Sequence, residues 1–181
     1  RVINFTIKEK VIIKPNKPIL SSIGDKNIEI GSRVELTAKV TNIDSAATYT
    51  YQWYEASSKT ASGTPIANAT SAKYVPATGK NGEKYYYCNV TVSKNGYTET
   101  TTTNRAKVRV TTSLSRATIG SIAAQTYTGK GITPSVTVKY NGITLTNGTD
   151  YTVSYSNHIN PGTATVTITG KGYYTGSRVI N

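Results

Sequence analysis

Few residues in this chain can attack a bond, move a proton or hold a metal. Cys88 and His158 are its one thiol and one imidazole. Two such residues cannot complete the shell of a structural zinc or of an iron–sulfur cluster, and a thiol–imidazole nucleophile would need both of them together. Asp150 is the only acid after residue 111. Before it, Glu29 with Glu35, or Glu55 with Glu83, would meet only by accident of folding, whereas a glycosidase needs two carboxyls held at set spacing across a cleft. No phosphate-binding glycine loop, calcium loop or Ser–His–Asp order is present. His158 lies between Asn157 and Ile159 in turn-like sequence and reads as solvent-exposed. The residue types therefore point away from catalysis, and no cofactor or metal is expected.

Cations and aromatics remain. The formal net charge is +12. In Arg105-Ala106-Lys107-Val108-Arg109-Val110 the cations alternate with apolar residues, so Arg105, Lys107 and Arg109 share one face of a strand. Such a face suits an anionic partner such as teichoic acid or a sulfated or sialylated glycan. It equally suits a solvated outer face that discourages edge pairing. Nucleic-acid binding would want cations and stacking aromatics in one groove; the lysines here are dispersed, so no nucleic acid is expected. Among 14 tyrosines, Tyr54, Tyr85 and Tyr87 stand out. If Trp53, Tyr86 and Cys88 point inward, alternation turns these three outward as one exposed patch able to stack on host or wall sugars. The alternative is structural, since cross-strand aromatic pairs stabilise sheets by about 0.2–1 kcal/mol each.

The elements that would hold these residues are strands. With 181 residues and 36% hydrophobic content, rich in Thr, Tyr and Val, the composition favours pleated, half-buried backbone over helix. No apolar run reaches the ~18 residues of a membrane helix. After a terminal strand at 1–8 and a Pro- and Lys-bearing linker at 9–17, strand-sized runs fall at 34–40, 49–54, 72–75, 85–92, 97–102 and 106–110. Turn chemistry separates them, notably Lys94-Asn95-Gly96, because Asn-Gly accepts the positive φ of tight hairpins. Past Thr112 the charge thins and further runs come at 125–128, 135–140, 151–155, 163–169 and from 178. We place two domains, 18–111 and 112–181, in an all-β sandwich or barrel arrangement.

The first domain resembles an immunoglobulin-like sandwich. Tyr51-Gln52-Trp53-Tyr54 looks like the strand carrying the core tryptophan, and Tyr86-x-Cys88 matches the tyrosine corner that precedes the second core cysteine. The partner cysteine's place looks like Ala38, so Trp53 is expected to be held by packing alone, with Cys88 as a small buried hydrophobe. The second domain resembles the short Ig-like repeats found in tandem in large cell-surface and secreted proteins of Gram-positive gut bacteria. The strings that carry this are Tyr127-Thr128-Gly129-Lys130, Ile132-Thr133-Pro134-Ser135-Val136-Thr137-Val138, Asn147-Gly148-Thr149-Asp150-Tyr151-Thr152-Val153-Ser154-Tyr155 and Gly162 through Gly176. The resemblance implies two tandem immunoglobulin-like β-sandwich modules, an extracellular place on the cell surface or in the medium, and neighbouring repeats as partners. It also implies cores built on Trp53, Tyr86 and Cys88, and on Tyr151, Val153, Tyr155, Val166 and Ile168.

The two ends match each other: Arg1-Val2-Ile3-Asn4 recurs as Arg178-Val179-Ile180-Asn181. We read this as an internal repeat. The chain opens on Arg1 rather than a methionine, as a processed product or an excised piece would. Repeats of this type continue past their last glycine into a strand of the form Arg-Val-Ile-Asn-Phe-Thr-Ile, which here stands whole only at Arg1–Ile7. The alternating Val2, Ile3, Phe5 and Ile7 are thus expected to complete the last domain of a preceding copy, within one parent or between molecules, by strand addition. Three readings stand at this point: a stalk or adhesin segment, a self-assembling filament subunit, and a glycan-binding module.

Overall fold

The computed structural model describes Lys8 and residues 11–181. The terminal strand expected at 1–8, with Val2, Ile3, Phe5 and Ile7, lies outside the described residues apart from Lys8. The strands follow in chain order. In the first part they are β1 (Lys26–Glu29), β2 (Leu36–Thr37), β3 (Thr48–Ala56), β4 (Thr64–Pro65), β5 (Lys73–Tyr74), β6 (Gly82–Lys94), β7 (Tyr97–Thr102) and β8 (Ala106–Ser113). A single 3-10 turn, Leu114–Arg116, comes next. Then follow β9 (Thr118–Ile119), β10 (Val138–Tyr140), β11 (Ile143–Thr144), β12 (Tyr151–Ser156), β13 (Thr165–Gly170), β14 (Tyr174–Thr175) and β15 (Ser177–Ile180). The fold is all-β and Ig-like. It divides into two compact units, one of residues 11–26, 33–76 and 84–108 with Lys8, the other of 27–32, 77–83 and 109–181.

The first unit is organised by the antiparallel pair β3–β6, whose register sets Trp53 opposite Cys88 and Tyr54 opposite Tyr87. Opposed residues share a face, so alternation sends Trp53, Cys88, Val90 and Val92 inward, where all four are buried. β6 turns into β7 through Asn95 (φ 52°) and Gly96 (φ 80°), the mirror-image turn that an Asn-Gly pair adopts at little cost. β7 and β8 are separated by Thr103, Asn104 and Arg105. Buried Thr103 is tied to Cys88 by two bonds: its amide donates to the Cys88 carbonyl at 2.9 Å, and its Oγ1 accepts from the Cys88 amide at 2.9 Å. Asn104 both accepts from and donates to the backbone of Ile23, at 2.7 and 2.8 Å. Thr103 and the Asn104 side chain thus tie the break between the strands to β6 and to the chain at Ile23.

Trp53 is not held by packing alone, as the sequence suggested. Its indole Nε1 donates to the Ser71 carbonyl at 2.9 Å, and its ring stacks on Tyr74 with centroids 5.7 Å apart. The tyrosine corner also departs from expectation. The Tyr86 hydroxyl donates to the Glu55 carboxylate at 3.1 Å, across the β3–β6 ladder. Cys88 is a free, fully buried thiol, and Ala38 is buried too.

The second unit contains two three-stranded sheets, β11-β10-β9 and β12-β13-β15. Leu114, Ala117, Val138, Leu145, Tyr151, Val166 and Ile168 form its core, with Val153 and Tyr155 packed against it partly buried. The strand expected at 125–128 is absent, and the one at 135–140 shrinks to β10. The cause of the shortening is visible around Pro134, which cannot donate to a ladder. The Tyr151 hydroxyl donates to the Val136 carbonyl at 2.8 Å, and the Tyr155 hydroxyl donates to the Pro134 carbonyl. Side chains thus take the carbonyls that a neighbouring strand would have used. Asp150 closes the β11–β12 turn: its Oδ2 accepts from the Thr146 amide at 2.8 Å.

Candidate functional site

Tyr54, Tyr85 and Tyr87 do share the outer face of β3–β6, but they do not form an exposed patch. Tyr87 is 9% exposed, and Tyr54 and Tyr85 are half-buried. Tyr54 and Tyr87 stack on each other at 4.9 Å, and the Arg105 guanidinium carbon lies 4.6 Å from the Tyr87 ring centroid. Arg105 also donates to the Ala61 carbonyl. The chain around Gly63 closes over the same ring so tightly that a Cβ there would sit 2.6 Å from the Tyr87 hydroxyl. The loop between β3 and β4 occupies the space a sugar ring would need. Alternation along β3 and β6 predicted the shared face; it carried no information about a loop ten residues away that returns to cover it.

The cationic face of β8 is likewise used within the protein. Arg109 donates to the Gly172 carbonyl at 2.6 Å, lies 3.5 Å from the Glu83 carboxylate and sits 5.0 Å from the Tyr173 ring centroid. Lys107 donates its backbone amide to Asp25 at 2.8 Å. These contacts leave Arg105 and Arg109 committed to carbonyls, an acid and aromatic rings before any anion arrives.

Three of the candidate acids, Glu35, Glu55 and Glu83, are committed in the same way. Glu35 lies 2.8 Å from Lys73 and 3.3 Å from Arg33, and the bond from Lys73 holds its carboxyl below the usual range. Glu55 pairs with Lys84 and Glu83 with Arg109. Burial pushes the Cys88 thiol up to about 11, so it is protonated and unreactive near neutral pH. His158 is half-buried rather than exposed, its ring 6.0 Å from that of Tyr155. Cys88 and His158 fall in different units. No group of three or more His, Cys, Asp or Glu residues among the described residues could hold a metal.

The open feature that sequence reasoning missed is a groove of about 980 Å³ in the second unit. Ile122, Ile132, Tyr155, Ile159, Val166 and Ile180 give it an apolar lining, and Asn181 stands among the residues that border it. Its floor is the beginning of β13. β15 pairs with β13 in the register Ile168↔Arg178 and Val166↔Ile180, so the ladder runs out where the groove opens. Arg178 anchors β15 by donating to the carbonyls of Ser115 at 3.2 Å and Ala117 at 2.9 Å. No local pattern announces this hollow, because one wall comes from the irregular segment at 120–134 and the other from the turn at 157–164.

No family model and no curated protein matches the chain. Among solved structures it is similar to a chain in the crystal structure of Dpr2 Ig1-Ig2 in complex with DIP-Theta Ig1-Ig3, at 14% identity and a TM-score of 0.36. That match covers 93% of this chain but 63% of the other, so the chain spans less than two thirds of its neighbour's length. It is also similar to a chimeric titin Z1Z2 functionalized with a KLER exogenous peptide from decorin, at 10% identity and a TM-score of 0.29, covering 94% of this chain and 96% of that one. At these scores neither match adds to what the strand order and the cores say by themselves, which is that this is an all-β chain of two Ig-like units.

Proposed function

We propose that this chain is a non-catalytic stalk segment of a bacterial cell-surface or secreted repeat protein, its Ig-like units serving to space and carry other domains. One observation carries the reading. The side chains best suited to grip a ligand are already satisfied by their own unit: Tyr54 by Tyr87, Tyr87 by Arg105, Arg109 by Tyr173 and Gly172. Cations on aromatic faces contribute about 0.5–2 kcal/mol where they are shielded from water, so these contacts stiffen the sheet. The resemblance of the segments 127–130, 147–155 and 162–176 to tandem surface repeats supports the bacterial and extracellular part of the proposal. Ig-like neighbours in the same parent are the partners it implies.

A glycan array on the full chain tests this. The spacer reading expects no saturable signal from any sugar at neutral pH. Saturable binding that disappears in Tyr85→Ala, in a variant that keeps its native unfolding transition, would replace it with the recognition reading.

A further inference from the structure

We propose that the segments 27–32 and 77–83 are an intramolecular template on which the second unit folds, with Asn81 as the pin that holds β14 in place. The inference goes beyond the spacer reading and does not rest on it.

The second unit is not one continuous stretch of chain. Besides 109–181 it takes in 27–32 and 77–83. One of its closing contacts is also long-range. β14 pairs in parallel with the end of β8, Tyr174 beside Thr112 and Thr175 beside Ser113. Parallel strands need a crossover between them, and here everything from the 3-10 turn through β13 forms it. Closing so long a loop costs chain entropy, yet the ladder has only these two rungs. Other groups must hold it.

Asn81 supplies them. Its Oδ1 accepts from the Thr112 hydroxyl at 2.7 Å, and the same side chain bonds the Tyr174 hydroxyl. One residue of the segment 77–83 therefore bridges two strands at the very residues that oppose each other in the ladder. Thr112 is 1% exposed, so its hydroxyl would find no water in place of Asn81, and an unmet buried donor is costly. Arg109 repeats the arrangement one turn of chain earlier. It lies 3.5 Å from the Glu83 carboxylate and donates to the Gly172 carbonyl at 2.6 Å, which ties the corner before β14 to the same segment. That corner is tight: a Cβ on Gly170 would sit 2.7 Å from the Tyr174 carbonyl.

The bonds also have an order. The Ile30 amide donates to the Thr111 carbonyl at 2.8 Å, and the Gly31 amide to the Thr78 carbonyl at 3.0 Å. With Thr112 on Asn81 and Arg109 beside Glu83, the segments 27–32, 77–83 and 109–113 are joined by contacts that require nothing after Ser113. β14 has no such independence, because Thr112 donates its amide to the Tyr173 carbonyl at 2.9 Å and Asn81 holds Tyr174. The template is complete without β14, whereas β14 is seated only on the template.

The chain carries one tryptophan, Trp53, in the first unit and one histidine, His158, in the second. Urea unfolding of the full chain can therefore be followed for each unit, by indole fluorescence and by the imidazole C–H resonances. His158 lies between β12 and β13 rather than beside β14, so it reports the unit and not local fraying. Asn81→Ala should raise the unfolded-to-folded ratio read at His158 at least about fivefold, and Arg109→Met should move it in the same direction. Thr112→Val removes the other half of the bond, so Asn81→Ala in that background should cost less than it does alone. An unmoved His158 transition in Asn81→Ala overturns the proposal, whatever Trp53 shows, because the second unit would then stand without its template. Strictly additive effects of Asn81→Ala and Thr112→Val overturn the role of Asn81. If Asn81→Ala abolishes both transitions, Arg109→Met decides: a shift at His158 supports the template, and none overturns it.

Discussion

Tyr54 and Tyr87 lie ring on ring across the β3–β6 ladder, centroids 4.9 Å apart and planes 3° from parallel. Stacked pairs of this kind add about 0.5–1.5 kcal/mol beyond the area they bury, and here Arg105 and the chain at Gly63 complete the stack. The relationship turns a surface that resembles a sugar platform into part of the fold, and it sets the first expectation.

Tyr87→Ala should therefore destabilise the first unit by about 3–5 kcal/mol, the range for removing a buried aromatic. Tyr87→Phe, which keeps the ring, should cost under about 1 kcal/mol. Urea unfolding of both variants measures this. A Tyr87→Ala chain as stable as the parent would mean that the ring is dispensable and free to serve a ligand.

Cys88 is expected to be inert in the native state. With its thiol raised to about 11 by burial and fully inaccessible, a thiol reagent at pH 8 should modify it only as fast as the first unit opens. The same reagent in concentrated urea should react at once. Fast native labelling would contradict the buried position opposite Trp53.

The pH response should be asymmetric. Tyr86, Tyr74 and Tyr51 are all raised above the usual tyrosine value, each chiefly by burial. A group raised in the folded state contributes stability that is complete below its unfolded pKa and is lost as pH rises toward the folded value. Stability should thus fall above about pH 10, and Tyr86→Phe should flatten that fall. At the acid end, Asp44 is lowered chiefly by its bond from Lys94 and Glu35 chiefly by its bond from Lys73. Their contribution is present above the ordinary carboxylate range and is lost as pH drops through the folded values. Both carboxyls are partly exposed to solvent, so the acid loss should be small and salt-sensitive. Thermal unfolding between pH 2 and pH 12 measures both limbs.

Asp150 should matter for structure and not for chemistry. Asp150→Ala leaves the Thr146 amide without its acceptor and should destabilise the second unit by about 0.5–2 kcal/mol, as loss of a comparable side-chain cap does. Asp150→Asn keeps an acceptor oxygen and should cost less. Equal losses for the two variants would contradict the turn-closing role.

What the sequence disclosed about the fold was local. Trp53 facing Cys88 follows from alternation along two strands, and the β6–β7 hairpin follows from Asn95-Gly96. Asn141 and Gly142, with φ of 48° and 80°, turn β10 into β11 by the same chemistry. What it concealed was non-local. The strand expected at 135–140 is cut to β10 beside Pro134 and Val136, whose carbonyls are claimed by the hydroxyls of Tyr155 and Tyr151 from further along the chain. The aromatic platform at Tyr54, Tyr85 and Tyr87 fails because Arg105 and Gly63 come back to cover it. The groove beside Ala164 could not be read from periodicity, because its walls come from the irregular segments at 120–134 and 157–164.

The closed outer face of β3–β6 is tested most directly by removing part of its cover. Arg105→Ala, which takes the guanidinium off the Tyr87 ring, should destabilise the first unit in urea by about 0.5–2 kcal/mol and leave a glycan array as silent as that of the unmodified chain. An Arg105→Ala chain of unchanged stability that gains saturable sugar binding would contradict a stalk segment whose aromatic face is held shut by its own side chains.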